Sequence, residues 1–193
     1  DGLPRPAPCA GPGAAPSPAE AVQRIGERFT QLYYGLLAVR PSALRQFYHE
    51  ESQMSRSWCG AGAAPGEAPG NNVIHKGLGQ IMEAIMASVG GQDPAHSAPV
   101  VVTKVEHVQS LTLPDGSGIM AHITGFITFL QEGKMRRFSQ SVLLEPGAQS
   151  RDNLYVRNDI VHYLDPLAPL GAGLPLGPQP PPLAAAEQQG LQP

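Results

Sequence analysis

A chain of 193 residues is long enough for one domain with a hydrophobic core and too short for two of ordinary size. Its formal charge of -3, with Lys134, Arg136 and Arg137 as the one tight basic cluster, argues against a nucleic-acid footprint. Cys9 and Cys59 have neither the number nor the spacing of a disulfide framework or metal knuckle, and no run approaches the roughly 18 apolar residues of a membrane span.

Fourteen of the 21 prolines fall in residues 1–20 and 166–193, whereas all 11 aromatic residues lie between Phe29 and Tyr163. Segments so poor in apolar bulk do not offset the entropy of ordering. The expected organisation is a disordered Pro/Gly/Ala-rich segment over 1–17, one folded domain over 18–165 and a disordered Pro-rich tail over 166–193. The N-terminal DGLPRPAPCAGPG has no apolar core of the signal type, and it lacks an initiator Met, as a cut fragment would. A cytosolic or nuclear protein is the expectation, and the cysteine usage agrees with a reducing compartment.

Ser17-Pro18-Ala19-Glu20 joins an N-cap Ser, Pro at the first helical position and Glu at the third, which is the capping-box pattern. A long helix is expected from here, with Val22, Ile25, Phe29, Leu32, Tyr33, Leu36 and Leu37 as its apolar stripe, ending before Pro41. A second short helix over PSALRQFY puts Leu44 and Phe47 on one side. Residues 52–58 (SQMSRSW) read as a short strand and 59–72 as a flexible Gly/Ala/Pro loop. Helix returns over 74–88 on a stripe of Ile74, Leu78, Ile81, Met82, Ile85 and Met86. The period then changes to two over 99–112, 118–131, 134–145 and 153–164. Turn residues at Pro114-Asp115-Gly116, Glu132-Gly133 and Pro146-Gly147 make neighbouring strands antiparallel. Helices first and a strand meander after them mean an α+β fold, the helices packed on one face of a curved antiparallel sheet. The Pro-x-x-Pro repeats of the tail, with no Lys or Arg after Arg157, read as a polyproline spacer rather than an SH3 ligand.

Period two sorts 153–165 into two faces. Leu154, Val156, Asn158, Ile160, His162 and Leu164 form a mostly apolar face expected to meet the helices. Tyr155, Arg157, Asp159, Val161 and Tyr163 form the other, expected to be a semi-polar dimer face or to hold an internal ion pair. Arg157 beside Asp159 would keep that carboxylate ionised. Asp159, His122 and His107 are the candidates for general acid–base work. No two histidines have ligand spacing, and no Ser-His-Asp set, Cys-His set or phosphate-cradling Gly loop is legible, so neither a metal nor a cofactor is expected.

Three strings, RIGERFTQLYYGLL continuing into LRQFYHEES (24–52), RRFSQSVLLEP (136–146) and LYVRNDIVHYLD (154–165), resemble the nuclear transport factor 2-like cone. Within that superfamily they are most similar to the N-terminal domain of the Ras-GTPase-activating-protein SH3-domain-binding proteins, the Rasputin family of stress-granule adaptors. The resemblance covers 22–165 and departs at 59–72. It implies a non-catalytic homodimer, cytoplasmic and in stress granules or associated with the nuclear envelope, that captures Phe-Gly motif proteins: nucleoporin repeats or Phe-Gly-Asp-Phe motifs of deubiquitinase and caprin-type partners. It also implies a peptide groove at Ile25, Phe29, Phe47 and Leu154, where Leu154 replaces a Phe of the family and removes one stacking face. Gln46, Asp152 and Asn153 flank these positions and would hold the peptide backbone or its acidic residue. The acidic stretch, RNA-recognition domain and Arg-Gly tail of that family have no counterpart here, so direct nucleic-acid binding is not expected of this segment. Two other readings of the same fold remain open: a transport factor that carries Ran or pairs with an mRNA exporter, with Glu50 and Glu51 supplying an acidic rim, and a small-molecule isomerase or dehydratase using Asp159 or His122.

Overall fold

The first helix, α1 (Pro18–Val39), starts where Ser17 and Glu20 cap each other. The Ser17 N–H donates to the Glu20 carboxylate at 2.7 Å, and the Glu20 N–H donates to the Ser17 hydroxyl at 3.3 Å, so two of the helix's orphan donors are satisfied. The structure, a computed structural model, describes residues 16–59, 73–91, 98–147 and 150–164. Of the loop expected over 59–72, Cys59 belongs to a strand and 60–72 lie outside the described residues, as do the expected tails apart from residues 16 and 17.

After α1, Pro41–Phe47 forms a 3-10 helix, and β1 (Tyr48–Cys59) follows at once. It is longer than the short strand expected there. A strand that sequence reading missed, β2 (Val73–Lys76), takes the residues expected to open the second helix, which begins instead at Gly77 as α2 (Gly77–Ser88). Gly77 makes the strand-to-helix corner at φ +79°, a left-handed conformation that glycine adopts at no steric cost. The four alternating segments become β3 (Val101–Thr112), β4 (Ile119–Phe129), β5 (Lys134–Gly147) and β6 (Ser150–Leu164).

The six strands form one sheet in the order β2-β1-β6-β5-β4-β3. β3 to β6 pair antiparallel as the turns require, but β1 joins β6 in parallel and carries β2 antiparallel at the edge, so the sheet is mixed rather than wholly antiparallel. Tyr33, Leu44, Tyr48, Met54, Ile81, Ile85, Ile123 and Phe138 are buried between its inner face and the helices.

The buried face of α1 differs from the expected stripe. Phe29, Tyr33 and Leu37 are inside, joined by Gly26, Thr30 and Tyr34, whereas Ile25 and Leu32 are 37% and 42% exposed. Close approach to the sheet explains the rotation, because a Cβ on Gly26 would fall 1.8 Å from the Ser110 Oγ of β3. The Gln23 amide then fastens the helix to this edge strand, donating to the Val108 carbonyl at 2.9 Å and accepting from the Ser110 N–H at 3.0 Å. These contacts occupy backbone groups that an edge strand would otherwise leave open.

In β6 the expected faces hold as far as Val156 and are exchanged after it. Leu143 pairs with Asn158 and Leu144 with Val156, which leaves Arg157 as an extra residue. Such a bulge inverts the alternation of a strand. Before it, Leu154 packs against the core and Val156 is fully inside; after it, Asp159, Val161 and Tyr163 are inside, and Ile160 and Leu164 face outward. The expected Arg157–Asp159 pair is replaced too. Arg157 reaches Glu51 at 2.8 Å and Glu145 at 4.0 Å, and Asp159 lies within the core.

Candidate functional site

Phe29 and Phe47 come from different helices because α1 turns at Pro41 into the 3-10 helix and brings Phe47 back over it. Their rings meet edge to face with centroids 5.4 Å apart, and Tyr33, one turn along α1, lies 5.5 Å from Phe29 and 6.2 Å from Phe47. Phe29 is buried and Phe47 half-buried, so the cluster has a covered floor and an open ring. Ile25 stands one turn before Phe29 and is exposed. Leu154 is half-buried, two residues before Val156, the strand partner of Tyr48, which directly follows Phe47. The four expected groove residues thus lie around the junction of α1, the 3-10 helix and β6, and Tyr33 joins them as a floor residue that sequence reading placed only in the helical stripe. Gln46 and Asn153 are exposed beside them; the side chain of Asp152 lies outside the described residues.

Behind this aromatic cluster lies a second, sealed one. Asp159 is 1% exposed, and its carboxylate accepts from Tyr48 Oη at 2.7 Å, Gln140 Nε2 at 2.9 Å and Tyr33 Oη at 3.4 Å. The Tyr34 hydroxyl donates to Gln140 Oε1 at 2.7 Å and fixes which way that amide points. Burial raises the Asp159 carboxyl above its ordinary range; the Tyr48 and Gln140 bonds, the Arg56 charge and the Tyr33 bond oppose the rise without cancelling it. Burial and then the Asp159 charge raise the Tyr33 and Tyr48 hydroxyls, so both remain donors.

The histidine candidates are remote from it. His122 is exposed on the outer face of β4, where its Nδ1 lies 3.0 Å from Ser141 Oγ, and His107 is exposed on β3 beside Thr124. Glu51, expected at an acidic rim, is engaged by Arg157, and Glu50 is exposed near Gly77. Among the described residues no three His, Cys, Asp or Glu side chains converge as metal ligands.

One cavity of about 380 Å³ opens between α2, β1, β2 and the adjoining ends of β3 and β4, with Arg56, Trp58, His75, Val89 and Phe129 in its wall. Asp159 and the tyrosines bonded to it are not among its lining residues, so the buried carboxylate is not in contact with that space. Sequence reading missed Arg56 and His75, because a cation and an imidazole on short polar segments carry no sign that they face inward.

The Nuclear transport factor 2 (NTF2) domain family matches residues 25–163. The chain belongs to this family. Among solved structures, the nuclear transport factor 2 of Cryptosporidium parvum is 20% identical, over 74% of this chain and 94% of its own, with a TM-score of 0.54. The C. albicans Mtr2–Mex67 M domain complex matches at 13% identity over 79% of this chain and 99% of its own, also with a TM-score of 0.54. At such identities these likenesses establish the fold of the NTF2 domain; the features described above are read from its own residues.

Proposed function

We propose that this NTF2 domain is a non-catalytic, dimeric adaptor of the Rasputin type that captures Phe-Gly peptides and works in the cytoplasm in ribonucleoprotein assemblies such as stress granules. The observation that carries the reading is the half-buried Phe47 ring, seated on Phe29 and Tyr33. A peptide Phe entering there gains apolar burial and edge contacts to rings already held in place, each such pair contributing about 0.5–1.5 kcal/mol beyond area burial. Asp159 supports the non-catalytic part of the reading, since a carboxylate sealed under two tyrosines and a glutamine has no route to a substrate. The dimeric part rests on the outer sheet face, where Leu111, Met120, Met135, Ile160 and Leu164 are exposed on neighbouring strands.

Phe47→Ala is expected to weaken binding of a fluorescent Phe-Gly-Asp-Phe peptide at least about tenfold, roughly 1.4 kcal/mol. Unchanged affinity in a variant with native circular dichroism overturns the groove. Leu154→Phe restores a stacking face and is expected to tighten the same peptide roughly two- to tenfold; unchanged affinity would place Leu154 outside the contact.

A further inference from the structure

The cavity between α2, β1 and β2 shares no residue with the peptide groove, and its polar groups are arranged for a different kind of ligand. Arg56 is 7% exposed and lines the wall. Its Nη1 donates to the Ala84 carbonyl at a long 3.4 Å, its Nε has no partner, and among the described residues no carboxylate comes within 4 Å of its guanidinium. Asp159 acts on this charge from beyond 4 Å, but a guanidinium cannot shed its charge, and the unpartnered Nε of a buried one beside open space leaves a donor free for a further acceptor.

Glu132, Ser88 and Gln131 in the wall are engaged. Glu132 is bound by Arg136 at 2.6 Å, and the Arg136 guanidinium lies 4.6 Å above the Trp58 ring, which stacks on Tyr163 with centroids 4.4 Å apart. The Ser88 hydroxyl donates to the Ile85 carbonyl and the Gln131 amide to the Val89 carbonyl. His75 remains, half-buried, its pKa lowered by burial and by the Arg56 charge, so its ring is neutral at pH 7. Around these groups Trp58, Phe129, Val73, Val89 and Val100 present apolar surface.

We infer that this cavity is a binding site for a small monocarboxylate with a flat apolar or aromatic body, its carboxylate on Arg56 and its body against Trp58 and Phe129. A carboxylate matches the planar fork of a guanidinium and carries the single charge that Arg56 can balance. A phosphate would bring excess charge into an apolar wall that already holds the Glu132 carboxylate. The volume of about 380 Å³ lies within the range of small-molecule sites and suits a compact ligand.

Calorimetric titration of the full chain with 3-phenylpropionate, and in parallel with the neutral 3-phenylpropionamide, tests this. The carboxylate is expected to saturate one site per chain and to bind at least about tenfold more tightly than the amide. Arg56→Met, which keeps the stem and removes the charge, brings carboxylate affinity down to that of the amide. Ala87→Leu, on the wall but away from Arg56, fills the space and weakens carboxylate and amide alike, so the site is tested even where Arg56→Met fails to fold. No binding to the folded wild type, equal affinity for carboxylate and amide, or undiminished binding in Ala87→Leu overturns the assignment.

Discussion

Asp159→Ala is expected to lower stability by about 3–5 kcal/mol, with a fall of roughly 10 °C or more in Tm. The variant leaves the Tyr48 hydroxyl and the Gln140 amide, both buried, without their acceptor, and frees Tyr33 from its weaker bond. A buried donor stripped of its partner costs about 1–3 kcal/mol, and the vacated volume adds to it. Asp159→Asn keeps the shape and an acceptor oxygen and should cost less, with a pH dependence of defined sign. The carboxyl of Asp159 is raised in the folded state, chiefly by burial, so its protonation favours folding. That contribution is complete below the unfolded carboxyl pKa of about 4 and is lost as pH rises through the folded pKa. The deficit of Asp159→Asn against the wild type is therefore largest near pH 4 and shrinks as pH rises, as denaturant unfolding across that window would record. A deficit that grows with pH would mean that the carboxylate is held ionised, as its neighbour Arg157 first suggests.

Ile160→Glu is expected to raise the dissociation constant of the proposed dimer at least about 100-fold, roughly 2.7 kcal/mol, without unfolding the chain. Ile160 pairs with Ser141 and Ser55 in the middle of the outer sheet face, between rows that hold Met120 with Leu143 and Leu164 with Arg137. Two copies meeting through this face would each bury that residue, and a charge there would be desolvated without a partner. Sedimentation equilibrium should report twice the chain mass for the wild type and the chain mass for the variant. A wild-type chain that sediments as a monomer removes the homodimer and leaves the exposed apolar face to a different subunit.

Where local chemistry and periodicity agree, the fold is legible in the sequence. Ser17 and Glu20 announce the start of α1, and the alternation over 118–131 announces β4 (Ile119–Phe129). The strand expected over 52–58 leaves out Tyr48 to Glu51 and Cys59, because Tyr48 reads as the end of the short helix and His49, Glu50 and Glu51 are consecutive polar residues without alternation; their place in β1 is set by the pairing of Tyr48 with Val156 of β6, distant in the chain. The faces of β6 are exchanged only after Val156, and nothing local marks the extra residue at Arg157; the bulge exists only in the register with β5. The groove positions came from the resemblance of short strings, and periodicity alone would have assigned Phe29 and Phe47 to the core, where Phe29 is indeed buried. The Arg56 cavity lay beyond either route, since it depends on α2, β1, β2 and the ends of β3 and β4 converging from separate parts of the chain.

The most direct test of the adaptor reading is a titration of the ¹⁵N-labelled chain with a Phe-Gly-Asp-Phe peptide, followed by amide correlation spectra. Saturable shifts concentrated on Ile25 to Tyr33, Phe47 and Leu154, abolished in Phe47→Ala, are the expected result. An unperturbed spectrum at millimolar peptide, or shifts confined to the Trp58 and His75 wall, would contradict a Phe-Gly groove at the junction of α1, the 3-10 helix and β6.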